Sequence, residues 1–426
     1  MLLVVAIAFP TSAAVIKNVE LKGEIQTIAS DVKYSKNNMF AHGAKTRAIA
    51  GFSFDVAEVV KANLLFQYVY AWGDHNYTNN GFDNAKGMKL ANANLVFSNL
   101  FDALEVTIGR QFYGEDDSTI IYFGPGHYTV ENDLYARALD GVKFAYSDDI
   151  KSITLLAGKV ADVTNGYVEG IVPNVRLVSN VFGGDAKLRV TDNFTAQAYL
   201  YDFADGTLTD GFYSVSASEY YGVEWEHVGV WGSKLALDTE TFRMSAEYAR
   251  NFAGKRLIKE HGSGHAGYEG ISEIGTGYLV KADLSVDAQT VTTRGSFVYV
   301  KEGFISQGNY SPGLLMGRNW NLLSGLFWYS AEGGLRMFNV GFDYRPTDQW
   351  TLSLDGYSFQ GRAGHHAATL EADLTAKYDY NDHVQLFAGV GYAKFGNDVN
   401  AHWADTYKNR IGSENYKGQL GMLVRF

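Results

Sequence analysis

The sequence predicts an all-β fold: a single transmembrane antiparallel β-barrel of about eighteen strands (sixteen to eighteen), with short periplasmic turns and long extracellular loops. Three observations carry this. The 426 residues include 28 Tyr, 26 Phe and 46 Gly but only 5 Pro. Aromatic residues and glycine suit twisted strands and tight turns, whereas proline cannot donate to a ladder. Apolar side chains recur at every second position through many segments, the period of a strand with one apolar face. Hydrophobic residues make up 46% of the chain, yet no apolar run approaches the ~20 residues of a spanning helix. A chain embedded in lipid without such helices must satisfy its backbone by closing a barrel.

The N-terminus reads as an export signal. Leu2 to Phe9 is apolar, and Pro10 and the small residues Thr11, Ser12, Ala13 and Ala14 follow. Cleavage after Ala14 would place Ser12 and Ala14 at the small positions such a site needs, although no Lys or Arg precedes the apolar run. Residues 1–14 are therefore assigned to the signal and 15–426 to the barrel.

Alternation begins with Val19, Leu21 and Ile25 against Glu20, Lys22, Glu24 and Gln26. It recurs with Phe194, Ala196, Ala198 and Leu200, with Phe242, Met244, Ala246 and Tyr248, and with Phe338, Val340, Phe342 and Tyr344. Further along come Leu370, Ala372, Leu374, Ala376 and Tyr378, then Val384, Leu386, Ala388, Val390 and Tyr392. Short polar turns fall at 55–58, 99–102, 147–150, 191–193, 286–287, 346–348 and 380–382, with a less regular one inside 229–240. Longer Gly-, Asn- and charge-rich stretches lie at 30–43, 73–86, 112–137, 162–180, 204–218, 253–275, 301–333, 361–367 and 396–414. These connections join eighteen strands, with both termini on the short-turn side.

Aromatic residues mark both rims, as interfacial girdles do. Phe54, Phe97, Phe101, Tyr146, Phe194, Trp225, Tyr344, Trp350, Tyr380 and Phe426 are assigned to the short turns. Tyr68, Tyr70, Trp72, Tyr201, Phe252, Tyr299, Phe359, Tyr392 and Phe395 are assigned to the loop ends. At the C-terminus, Leu420, Met422, Val424 and Phe426 share one face, opposite Lys417, Gln419 and Arg425, with Leu423 as the exception. This reads as the assembly signal by which the outer-membrane barrel assembly machinery selects its clients.

The faces opposite the apolar ones carry both signs in similar number. Basic members include Lys22, Arg47, Lys143, Lys187, Arg189, Arg243, Lys281, Arg294 and Lys417, and acidic ones include Glu24, Glu105, Glu247, Asp283, Asp343, Asp355, Glu371 and Asp373. Such a wall wets a lumen without strong net selectivity. The loop at 112–137 is expected to fold inward and constrict the pore. Glu115, Asp116 and Asp117 would form a negative edge facing Arg110, Arg137, Arg47, Lys143, Arg189 and Arg243. Gly124-Pro125-Gly126 would redirect the chain. The loop at 301–333 reads as an external lid.

The run Gly109-Arg110-Gln111, the acidic loop after it and the strand start at Asp140-Gly141 resemble the alginate-export-like porins. They are also similar to the major porins of epsilonproteobacteria and to the substrate-specific porins of pseudomonads. The resemblance covers about forty residues plus the barrel plan. It implies an eighteen-stranded channel with an infolded loop. The lumen lacks the basic excess that a polyuronate conduit needs, so alginate does not carry over.

The function expected is an outer-membrane porin, a water-filled channel for passive diffusion of small hydrophilic solutes or ions. The alternatives are a substrate-specific channel for saccharide export or uptake, and a non-conducting structural or adhesin barrel. The expected partners are outer-membrane lipid and lipopolysaccharide, the assembly machinery and small solutes, with the barrel a monomer or a trimer. A net charge of −11 argues against nucleic acid. No cofactor, metal or catalytic residue is expected. The chain has no Cys, and Gly-x-Ser-x-Gly and His-Glu-x-x-His are both absent. His261, His265, His365 and His366 fall in loops without a carboxylate partner.

Overall fold

A computed structural model describes residues 16–34, 40–72, 88–126, 136–161, 175–210, 221–252, 257–260 and 275–301, then 303–304, 306–310, 312–317, 334–361, 368–394 and 414–426. The proposed signal 1–14 lies outside these residues. Eighteen strands close into one barrel: β1 (Lys17–Tyr34), β2 (Phe40–Ala57), β3 (Val60–Ala71), β4 (Lys89–Leu100), β5 (Leu104–Gln111), β6 (Leu139–Ser147), β7 (Lys151–Ala161), β8 (Val175–Thr191), β9 (Phe194–Asp210), β10 (Tyr221–Asp238), β11 (Phe242–Phe252), β12 (Tyr278–Ala288), β13 (Val291–Val300), β14 (Leu335–Thr347), β15 (Trp350–Gly361), β16 (Thr369–Asn381), β17 (Val384–Lys394) and β18 (Glu414–Arg425). Each pairs antiparallel with the next. A short piece, Leu257–Glu260, pairs with the loop end of β10.

Closure is made by the chain ends. β1 pairs with β18 from Glu24↔Arg425 to Tyr34↔Asn415. Phe426 extends that seam: Gly23 N–H donates to its carbonyl at 2.8 Å, and Phe426 N–H donates to the Gly23 carbonyl at 3.0 Å. Gly23 is needed here, because a Cβ would lie 2.2 Å from the Ile49 carbonyl oxygen and 3.0 Å from the Phe426 ring.

Every strand turns apolar side chains outward. Leu21, Phe52, Leu64, Leu95, Ile108, Phe144, Leu155, Phe182 and Leu200 are exposed in β1 to β9; Trp231, Met244, Leu284, Val291, Phe338, Leu354, Leu370, Val390 and Leu420 are exposed in β10 to β18. A continuous apolar exterior of this kind is stable only against lipid. The assembly residues fit the same alternation: Leu420, Met422 and Phe426 are exposed, Val424 pairs with Ile25 and Val384, and Leu423 is buried on the inner face.

The short turns fall close to the positions read from the sequence. The irregular one is the link from Asp238 to Phe242, at the end of the 229–240 window. Residues 286–287 and 346 belong to strands, so those hairpins turn slightly later. In the turn between β6 and β7, Asp148 accepts N–H bonds from Lys151 and Ile150 at 2.8 and 2.9 Å and the Tyr146 hydroxyl at 2.8 Å. These donors, the backbone ones first, hold its carboxyl below the usual carboxylate range.

Several loops are shorter than the sequence implied. Residues 30–34 and 40–43, 175–180 and 204–210 are strand. The strands of β1, β2, β8, β9 and β10 run to 17 or 18 residues, well beyond the ~9–11 needed to cross the membrane. Polar composition hid this, because a strand beyond the bilayer needs no apolar face. His42 accordingly lies in β2 and not in a loop. Trp225 is also corrected: it pairs with Gly206 at the loop end of β10, far from the short-turn rim.

Candidate functional site

After β5 the chain leaves the wall. Tyr113–Gly114 and Tyr122–Phe123 pair as a small hairpin. Gly114 has φ +90°, and a Cβ there would come 2.4 Å from the Ile121 carbonyl oxygen, so glycine fits where a larger residue is strained. Ser118 N–H donates to the Glu115 carbonyl at 3.1 Å, and Asp117 takes the left-handed conformation at φ 62°.

The hairpin is amphipathic. Ile120, Ile121 and Phe123 are buried against inward-facing Leu139, Leu156, Val160, Val181, Phe203 and Val230. Burying three such side chains is worth roughly 5–9 kcal/mol as an upper estimate. This inner apolar patch adds to the charged wall a feature that the sequence reading did not include. The sequence shows it only as side chains on the polar parity of their strands.

Polar contacts run across the interior. Thr119 donates to Glu247 of β11 at 2.7 Å, and the Tyr199 hydroxyl donates to the same carboxylate at 2.9 Å. The Tyr113 hydroxyl lies 3.1 Å from Asp185 of β8 and 2.8 Å from the Tyr201 hydroxyl of β9. On the opposite wall, Arg47 donates to the Gly126 carbonyl at 2.9 Å and pairs with Glu24 at 2.5 Å. Gln67 of β3 exchanges two hydrogen bonds with the Ala136 backbone, at 3.0 and 2.8 Å.

A second segment, within 301–317, meets the first. Gln307 forms a parallel bridge with Ile121. Its N–H donates to the Ile120 carbonyl at 2.8 Å, and its carbonyl accepts Tyr122 N–H at 3.0 Å. Asn309 N–H donates to Ser118 at 2.9 Å, and its side chain donates to Asp116. The π-helical turn Gly313–Gly317 rests on the wall. Leu314 and Leu315 N–H groups donate to Asp373 and Glu371 at 2.8 and 2.6 Å, and Lys417 donates to the Leu314 carbonyl at 3.1 Å. The described part of 301–333 is therefore not an external lid. Its apolar Leu314-Leu315-Met316 run is the signal that could have shown this. Burial pushes the hydroxyls of Tyr113, Tyr122 and Tyr310 well up from their ordinary value, so they stay protonated and able to donate.

Toward the short turns lies a chamber of about 580 Å³. Its lining includes Asp117, Lys234, Arg243, Asp283, Arg294, Tyr310, Asp343 and Arg345. Arg294 bridges Asp343 at 2.8 Å and Asp355 at 3.1 Å. Lys281 pairs with Asp283 at 3.1 Å and sits 4.4 Å above the Tyr310 ring. Fixed charges of both signs on neighbouring strands give the wall a lateral field.

The residues expected to form one constriction are dispersed. Arg47 is fully buried against the 112–126 segment. Arg137 lies 5.9 Å from the Phe123 ring. Asp117 and Arg243 line the same chamber, and Arg243 pairs with Asp287 at 2.7 Å near the short-turn rim. Lys143 pairs with Glu105 at 3.3 Å, and exposed Arg189 is close to the turn after β8. Glu115 caps the hairpin turn, and Asp116 meets Asn309. Arg110 is a correction. By register it shares the outer face with Ile108 and Val142, and it is bound at 2.7 and 2.6 Å by Asp140. Alternation runs unbroken through Gly109, which turns Arg110 away from the lumen.

A closed barrel with an apolar exterior, infolded loops and a charged interior defines the class of large transmembrane β-barrels. No family model matches the chain, and no curated protein matches it. Solved structures do. Acinetobacter baumannii OccAB4 superposes with a TM-score of 0.59 at 10% identity, covering 96% of this chain and 98% of that one. Pseudomonas aeruginosa OpdQ gives 0.59 at 9%, with the same coverage. The Pseudomonas aeruginosa outer membrane protein OpdK gives 0.53 at 12%, again covering 96% and 98%. These likenesses establish the fold. They lie with the pseudomonad substrate-specific porins among the resemblances drawn from sequence, and give no support to the alginate-export one.

Proposed function

We propose that this protein is an outer-membrane channel through which small hydrophilic solutes diffuse passively, with 112–126 and 301–317 together narrowing the path. The observation that carries this is the joined pair of segments inside the barrel, beside a chamber of about 580 Å³ lined by both signs of charge. That volume falls in the roughly 300–1,000 Å³ range of small-molecule sites. Fixed charges of both signs beside the path favour dipolar solutes. Its structural neighbours are outer-membrane porins, which supports the same reading. Expected roles are Asp117 and Arg243 as opposed charges along the path and Arg47 as an anchor for the constricting segment. Phe426 and the alternating residues before it serve assembly, and 1–14 directs export.

The test is a liposome swelling assay with neutral and zwitterionic solutes of rising size. Swelling with small solutes and a sharp size limit is expected. Barrels that are correctly folded yet admit no solute would leave the non-conducting alternative.

A further inference from the structure

We propose that the loop-side rim of the outer face on β10 to β14 is a docking site for a phosphorylated glycolipid of the outer leaflet, held by Arg250, Lys301 and Arg336. The proposal goes beyond transport, but it rests on the outer-membrane placement with the loops outside.

A continuous aromatic shelf crosses four adjacent strands. The ring centroids of Trp231 and Tyr248 are 5.7 Å apart, those of Tyr248 and Tyr278 6.2 Å, and those of Tyr278 and Tyr299 5.6 Å. Alternation places these rings on the outer face, with Met244, Leu284 and Phe338 below them toward the midplane. The cations stand on the same shelf. Arg250 is opposite Trp231 and Tyr278 in the register. The Lys301 ammonium lies 5.9 Å from the Tyr278 ring, and the Arg336 guanidinium lies 5.7 Å from the Tyr299 ring. Both distances fall within the ~6 Å reach of a cation–π contact, which holds long side chains against the rings.

Charge and asymmetry identify the occupant. Among the described residues, no Asp or Glu shares the outer face of β10 to β14. The short-turn end of that same face presents Leu237, Phe242, Val286, Val291 and Tyr344, none of them charged. Cations confined to one rim of a lipid-facing surface match an anionic headgroup confined to one leaflet. Guanidinium groups bind phosphate oxygens with two parallel hydrogen bonds. The aromatic shelf suits the boundary between headgroup sugars and acyl chains.

The probe is lipid A with two phosphates, presented to the purified barrel in detergent and compared with dephosphorylated lipid A. Binding is read by native mass spectrometry. The triple variant R250A/K301A/R336A should lose affinity about 100-fold, since each cation near such a headgroup is worth about fivefold. Dephosphorylated lipid A should bind wild type as weakly as lipid A binds the variant. A control variant, K33A/K394A, changes cations elsewhere on the rim and should bind normally. Equal affinity of wild type and the triple variant, loss in the control to the same extent, or indifference to the phosphates would each overturn the proposal. Conductance of the triple variant should stay at the wild-type value, because these residues face away from the lumen. A barrel without conductance would instead count against the channel reading, which separates the two failures.

Discussion

Replacing Arg47 by Met tests how the 112–126 segment is held. Arg47 has no exposed surface, and the Glu24 side chain is 11% exposed. The substitution removes the 2.5 Å pair with Glu24 and the 2.9 Å bond to the Gly126 carbonyl. Breaking a buried pair by removing one partner costs about 3–5 kcal/mol, and a hydrogen bond to a charged group contributes about 1.5–3 kcal/mol. Glu24 and Arg47 stand on the adjacent wall strands β1 and β2, so of these losses the bond to the Gly126 carbonyl is the one that bears on the seating of the segment. Even about 1.4 kcal/mol multiplies the unseated population tenfold. In planar bilayers, R47M should show frequent excursions to a higher conductance that are rare in wild type. The double variant E24Q/R47M buries no charge at this place and should be quieter than R47M. Indistinguishable traces from wild type and R47M, in barrels folded to the same extent, would refute the reasoning.

Other consequences follow from the same contacts. Thr119→Val removes the 2.7 Å bond to Glu247; a loss of about 1–3 kcal/mol at that anchor should raise open-channel noise, read against Glu247→Ala as a double-mutant cycle. Gly391→Val should lift the Gly313–Gly317 turn, because a Cβ at 391 would stand 2.6 Å from Asp373 and 3.2 Å from the Leu314 side chain. Its readout is greater protease sensitivity within 313–317. Deleting Phe426 removes the two hydrogen bonds it exchanges with Gly23 at the end of the seam and should lower the heat-modifiable outer-membrane fraction severalfold. Val424→Asp, at a lipid-facing position, should cost up to about 2–4 kcal/mol and shift protein to periplasmic aggregates, scored by fractionation.

The exterior of the barrel was legible because lipid imposes a simple rule on it. Leu420, Met422 and Val424, or Phe338, Val340 and Phe342, show their face by alternation alone. The interior follows no such rule. Val181, Phe203 and Leu279 sit on the polar parity of their strands, and their burial comes from the infolded side chains clustered with them, those of the hairpin and Phe304 of the second segment. Arg110 was misplaced because the strand end at Gly109-Arg110-Gln111 gives no sign of where the chain leaves the wall. The 301–317 segment was misread because its length was weighed and its apolar Leu314-Leu315-Met316 run was not. Its partners Glu371, Asp373 and Lys417 come from strands far along the chain, and no local pattern links them. Asp185, Glu247 and Arg294 follow the inward parity of their strands. Their importance comes from what the loops bring to them.

The constriction itself is tested most directly by single-channel conductance of a barrel lacking residues 115–133, with β5 and β6 left intact. That segment carries the contacts to Arg47, Glu247 and Gln307 that join the walls and the second loop. If it narrows the path, the folded deletion barrel should conduct severalfold more than wild type and admit larger solutes in liposome swelling. An unchanged conductance and size limit, in a deletion barrel shown to be folded by heat-modifiability, would contradict a constriction in this part of the lumen.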